Sequence, residues 1–252
     1  MSNTTTTTKP KRAGMARWKK WVLGGGVLFV VLAALGVWWF LRDDAPKAVD
    51  LDAAVGAVSD GSTVSTGGVA GNWTVDTSVG EFSFENSTGT FVGFRVAEQL
   101  SGIGSTTAVG RTPAVSGTMT IDGTNLTTAS IEADMTALTT NNSRRDGPAR
   151  RALGTSQSPT ATFVLTSPID LGSAATTGAK TTVTATGDLT IKGVTKSVQI
   201  PLQAQLTGST IVVVGSLDVV FSDFGITAPT APIVLSVDDH GQIEMQLFFS
   251  RN

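Results

Sequence analysis

Few residues in this chain have the type and spacing that chemistry requires. The only histidine, His240, stands in VDDHGQIE beside Asp238 and Asp239. On one reading the three form a metal site or a carboxylate-supported base. On the other they form a polar hairpin turn, since Asp and Gly favour turn backbone. A Ser-His-Asp triad would have to use this same His240, and no G-x-S-x-G elbow accompanies any serine. Glu132 and Asp134, two apart in SIEADMTAL, share a strand face and mimic a pair of acid–base carboxylates. Ser130 and Thr136 lie on that face too, while Ile131, Ala133 and Met135 hold the other, so the acids read as the wet side of a sheet. Arg144, Arg145, Arg150 and Arg151 form a basic cluster, and Arg95 and Arg111 are candidates of the same kind. Arginines of this sort either meet a phosphate head group or an anionic surface, or pin a helix through a local Arg145–Asp146 pair. Cysteine is absent, which removes thiolate chemistry and Cys-type metal sites. Without a convergent acid, base and nucleophile, the residues indicate a binding protein that is not an enzyme and has no cofactor.

The elements that must position these residues follow a period of two. Phe82 and Phe84 share a face in EFSF, and Phe94 and Val96 share one with Val92 in FVGFRVAEQL. Val183, Leu189 and Ile191 alternate with Thr and charged residues, and Val198 and Ile200 do so after the short KGVTK link. Leu217 and Phe221 extend a face begun by Ile211 and Val213, and Leu247 lies between Ile243, Met245 and Phe249. Seven or eight such strands, divided by Gly-, Asp- and Ser-containing turns, predict an antiparallel sheet that is polar on one side. A sandwich and a closed barrel both bury such a sheet, and sequential hairpins favour the barrel. Small or flexible residues on the apolar face (Ala133, Ala185, Gly187, Ala204, Gly215, Met245) favour a cavity. One interruption, residues 139–159, predicts a short helix, with Asn142 or Ser143 as its cap and Gly154 at its end.

Charge divides the chain. Seven of its 18 Lys and Arg and none of its 20 acids precede residue 43, giving +7 before that point and −9 after it. The boundary is WVLGGGVLFVVLAALGVWWFL, residues 21–41, uncharged and flanked by tryptophans. At about 1.5 Å per residue it spans roughly 30 Å of hydrocarbon. Basic residues on its N-terminal flank predict a single-pass plasma-membrane protein with a cytoplasmic tail (1–20) and an exported remainder. A cleaved signal peptide would have a shorter apolar run and small residues at its end. Residues 42–71, rich in Ala, Gly, Ser and Asp, read as a flexible linker, and 72–252 as one domain. Being negative and exported, that domain is not expected to meet nucleic acid.

Its sequence resembles the YceI-like family of exported lipocalin-like proteins. The resemblance is carried by WTVD at 73–76, Arg145-Asp146 with the following RRAL, SPTATF at 158–163 and, above all, GDLTIKGVTKSV at 187–198. It implies an all-β fold: an extended eight-stranded antiparallel lipocalin-like barrel with a short helix, preceded here by one transmembrane helix. It also implies a polyisoprenoid or quinone-type isoprenoid lipid in the pore. The apolar faces named above, together with Phe163, would then line the pore, with Arg95 and Arg111 near the head group. Many relatives carry a His-Ser pair after the W-x-x-D. Here the sequence is Thr77-Ser78-Val79-Gly80, which implies a different head-group choice. The alternative is a structural or interaction protein of the cell envelope whose barrel is filled by its own side chains.

Overall fold

The computed structural model describes residues 45–58, 68–102, 104–230 and 234–251. The expected anchor, residues 21–41, lies outside them, and no described helix is long and apolar enough to cross a membrane. In chain order the elements are α1 (Leu51–Val58), β1 (Gly71–Val75), β2 (Phe91–Leu100), β3 (Gly104–Thr112), β4 (Val115–Asp122), β5 (Asn125–Asp134) and β6 (Thr139–Thr140). There follow α2 (Ser143–Ala152), β7 (Thr160–Leu165), β8 (Ile169–Asp170), β9 (Thr181–Ile191), β10 (Val194–Thr207), β11 (Thr210–Val220), β12 (Val234–Val237) and β13 (His240–Arg251).

Eight strands close a ring in the order β1-β4-β5-β7-β9-β10-β11-β13, with β13 returning to β1, and every pairing in the ring is antiparallel. Beyond the reach of β1, β2 takes over as partner of β13, from Phe91↔Gln246 to Arg95↔Gln242. Closure removes the free edges that a sheet this long would otherwise expose. The KGVTK link is a two-residue turn in which Lys192 and Gly193 both have positive φ, +52° and +75°. That turn matches the twist of the flanking strands.

Alternation sends one face of each strand inward. Toward one end Trp73, Ile121, Leu126, Leu206, Ile211 and Phe249 pack together, and toward the other Leu189 and Ile191 meet Phe224. Helix α2 covers this second end, where Leu153 joins the same cluster. As the sequence predicts, Asn142 caps α2, its Oδ1 accepting from Arg144 N at 3.1 Å, and Gly154 ends it at φ +65°.

Three expectations change. EFSF is not a strand: Thr88 N and Gly89 N both donate to Glu81 O at 3.0 Å and fold residues 81–90 into a loop. Phe221 opens a 3-10 turn, Phe221–Phe224, and so leaves the face begun by Ile211 and Val213. The stretch read as a flexible linker contains α1, which belongs to the same compact unit as the barrel. Leu51 and Ala54 of α1 are buried against Val212, Val214 and Phe248 on the outside of the barrel. Burying a leucine at 1% exposure contributes about 2 kcal/mol, enough to hold a short helix that composition alone would leave loose.

Candidate binding cavity

The barrel encloses an apolar cavity of about 120 Å³ and a second of about 60 Å³. The two share Met119, Leu126, Leu202 and Val213 as walls. The larger cavity has no charged residue in its lining, and Thr162 supplies the one hydroxyl. Nothing there can hold a charged group without leaving it unpaired in an apolar space. A dry cavity of about 150 Å³ is known to take benzene. The space is therefore on the scale of a single five-carbon unit.

The sequence-predicted residues divide into groups. Phe163, Leu189, Ile200, Leu217 and Leu247 line the larger cavity and Val183 the smaller. Ile191 and Val198 pack with Phe224 and Leu153 where α2 covers the barrel. Phe94 faces inward with Val92, but its ring fills the space over Gly110, where an added Cβ would stand 2.4 Å from it. Val96 is buried farther along β2. Two of the small residues expected to create space are likewise filled: an added Cβ at Gly187 would meet Phe163 at 2.4 Å, and one at Gly215 would meet Leu202 at 2.4 Å. Glycine here lets a neighbouring ring or branch cross the strand closely. Met119 and Leu126 were missed, although Met119 and Ile121 alternate with polar residues in TMTID.

Phe82, Phe84, Phe221, Arg95 and Arg111 do not line either cavity. The two arginines lie on the outer wall, because β2 and β3 turn Phe94 and Gly110 inward and their neighbours outward. There they flank Glu244, which has no solvent exposure. Arg95 Nε donates to Glu244 Oε2 at 2.7 Å and Arg111 Nε to Glu244 Oε1 at 2.9 Å. The remaining guanidinium donors reach backbone carbonyls: Arg95 to Pro46, and Arg111 to Lys47 at 2.9 Å and Phe84 at 3.2 Å. The Arg111 guanidinium also lies 4.3 Å from the centre of the Phe91 ring. Burial lowers the Arg111 pKa from its ordinary value, and the Glu244 charge opposes that shift. Phe82 packs by its ring against Phe91 at 6.5 Å in the same wall.

At the α2 end, Glu98 follows Val92, Phe94 and Val96 on the inward face and is 5% exposed. It pairs with Arg145 of α2 and accepts from Thr106 Oγ1 at 3.0 Å. The expected Arg145–Asp146 pair is thus replaced: Asp146 instead accepts from Thr140 N at 2.8 Å and Thr140 Oγ1 at 2.7 Å. Both acids fasten the helix to the barrel.

The catalytic candidates resolve to local structure. His240 Nδ1 lies 2.9 Å from Asp239 Oδ1 at an exposed turn, and this contact raises the histidine pKa and lowers the aspartate's. Asp134 Oδ1 accepts from Thr136 N at 2.8 Å, and the Thr136 hydroxyl holds its pKa below the ordinary value. Among the described residues no group of three or more His, Cys, Asp or Glu is placed to hold a metal. Thr77 to Gly80, where the expected His is missing, form a turn in which Val79 packs on the outer-wall cluster with α1. That departure lies outside the cavity.

Comparison with solved structures gives the same architecture. A polyisoprenoid-binding domain from Saccharophagus degradans superposes with a TM-score of 0.55 at 19% identity, over 71% of this chain and 98% of that one. BcnA from Burkholderia cenocepacia superposes with a TM-score of 0.50 at 20% identity, over 69% and 98%. No curated protein matches the sequence. The profile of the YceI-like domain matches residues 73–249, from the buried Trp73 of β1 to Phe249 of β13. The chain belongs to the YceI-like family.

Proposed function

We propose that this protein binds the hydrocarbon part of an isoprenoid lipid, a polyprenol or isoprenoid quinone, inside the barrel while tethered to the membrane by residues 21–41. The observation that carries the reading is the apolar cavity, walled by side chains from across the barrel ring and free of charge. Apolar burial contributes roughly 25 cal/mol per Å², so an enclosed prenyl tail needs no catalytic residue to be held. The S. degradans relative, named for polyisoprenoid binding, supports the same ligand class. Tethering rests on the 21-residue uncharged run and its basic flank.

The volumes refine this reading. A tail longer than one or two five-carbon units fits only if the walls between the two cavities move. Met119 and Leu202 are unbranched at Cβ and well suited to do so. A second reading, a side-chain-filled barrel that serves as an interaction protein, is favoured by the way Phe94, Phe163 and Leu202 fill the space over three glycines. Native mass spectrometry of residues 43–252 purified without detergent, followed by solvent extraction, separates the two. One isoprenoid per chain is the expected result. A barrel that stays empty after incubation with polyprenol and quinone extracts favours the interaction protein.

A further inference from the structure

The two ends of the barrel are closed by different means. At the α2 end the cover is cross-linked: Glu98 pairs with Arg145, Asp146 accepts twice from Thr140, and Arg150 donates to Leu138 O. At the other end the cover is residues 172–179, which include a 3-10 turn, Ser173–Thr177. Ala175 of this turn walls the smaller cavity together with Val69, Leu171 and Ala179. It is the one buried side chain of the segment, at 8% exposure. Among the described residues, the hydrogen bonds of residues 173–178 all stay inside the segment. Thr176 Oγ1 donates to Ser173 O at 2.8 Å, Thr177 Oγ1 to Ala174 O at 3.0 Å, and Gly178 N and Ala179 N to Ala174 O as well. Before the segment the chain is pinned, because Leu171 N donates to Thr124 O at 2.9 Å. After it, Lys180 Nζ stands 3.4 Å from Asp52 Oδ1 of α1, an exposed pair that contributes little. Gly172 and Gly178 flank the turn at φ +68° and +71°.

A cover with one buried side chain, whose turn makes no hydrogen bond to the barrel, opens at far less cost than one held by ion pairs and caps. A few loop residues at its ends suffice to absorb the change in backbone angles. We propose that residues 172–179 are the flap through which the prenyl tail enters the barrel, hinged at Gly172 and Gly178. The tail passes under Ala175 into the smaller cavity, then between Met119, Leu126, Leu202 and Val213 into the larger one. The head group is left at the flap, and α2 is the fixed floor at the opposite end. The proposal rests on the lipid-binding reading above.

Two variants loosen the flap in different ways. Gly172→Ala strains the closed hinge without touching the wall, since an added Cβ there meets nothing within 4 Å while the positive φ disfavours it. Ala175→Gly removes the one buried side chain. Asn142→Ala, which loosens α2 instead, is the control. The full chain is held in phosphatidylcholine nanodiscs and mixed with a saturating ten-carbon prenol that carries a diazirine at its tail. Ultraviolet flashes at intervals fix the bound probe, and mass spectrometry of the digest counts adducts on β9 and β11, whose Val183 and Val213 line the smaller cavity. Both flap variants should raise the rate at which these adducts appear several-fold and reach the same plateau, with Asn142→Ala no faster than the unaltered chain. An unchanged rate in both flap variants, with or without a lower plateau, makes residues 172–179 a wall only and overturns the flap. A faster rate in Asn142→Ala places the entrance under α2 and also overturns it. Absence of adducts on β9 and β11 in the unaltered chain overturns the lipid-binding reading and the flap together.

Discussion

Glu244 is a carboxylate with no solvent exposure that accepts from two guanidiniums, 2.7 and 2.9 Å away. Two cations and one anion leave a net positive charge in the wall, and the carbonyls of Pro46, Lys47 and Phe84 face it. Glu244→Gln preserves shape but strands both arginines, at an expected cost of about 3–5 kcal/mol. Urea unfolding should show a lower midpoint with an unchanged slope. Asp76, which ends the WTVD motif, ties β1 to β13. Its Oδ2 accepts from Ser250 Oγ at 2.5 Å and its Oδ1 from Ser78 Oγ at 2.6 Å. The Ser250 hydroxyl, then that of Ser78, lowers its pKa below the ordinary 3.8. A lowered folded value means the stabilisation is complete above the unfolded value and is lost as pH falls through the folded one. Asp76→Asn is therefore expected to cost about 1 kcal/mol at neutral pH. The gap to the unaltered protein should narrow below about pH 4. An equal gap at pH 7 and pH 3 would contradict this account.

Helix α2 shows how an element is held by caps and cross-links more than by its own core. None of its residues is fully buried, but Asn142 caps it, Arg145 pairs with Glu98, and Arg150 donates to Leu138 O at 2.9 Å. Asn142→Ala should cost about 1 kcal/mol. The loss should concentrate in faster amide exchange across Ser143–Ala152, with the β9–β10 ladder unchanged; uniform loss of protection would show that the cap supports the whole barrel. Helix α1 is the contrasting case, an eight-residue element without aromatics that is ordered by the outer wall it covers. The KGVTK hairpin is a third kind of element. Its alternation and its turn residues agreed, and its register runs unbroken from Ile191↔Val194 to Thr181↔Ala204.

For the molecule as a whole, capacity is the property to test. The two cavities meet at Met119, Leu126, Leu202 and Val213. Met119→Ala should join them, shift binding in a prenol series toward longer chains, and lower stability by about 2–5 kcal/mol. Titration of ten- to forty-carbon prenols, followed by native mass spectrometry, reads this directly. An unchanged length preference would mean that Met119 does not divide the occupied space.

The sequence by itself determined the all-β class, the helix with its cap, the central hairpin and the family. Each of these is written in near neighbours: a period of two, an Asn before a helical run, a Lys-Gly turn, a contiguous motif. It also determined which faces were apolar, and Val183, Leu189, Ile200, Leu217 and Leu247 of those faces lie on the cavity walls, as does Phe163 of the family motif. Only the tertiary structure decided what those faces and the charged residues met. Alternation says that Arg95 lies opposite Phe94 but not which side closes inward, since barrel closure is set by pairings as distant in sequence as Arg95↔Gln242. Gly187 read as space until Phe163 from β7 was laid across it. Residues 45–58 read as linker because their order comes from Phe248, Arg95 and Arg111, none of them within thirty residues of the segment. Local pattern fixes an element's type, whereas distant partners fix its burial, and with it the role of each charge.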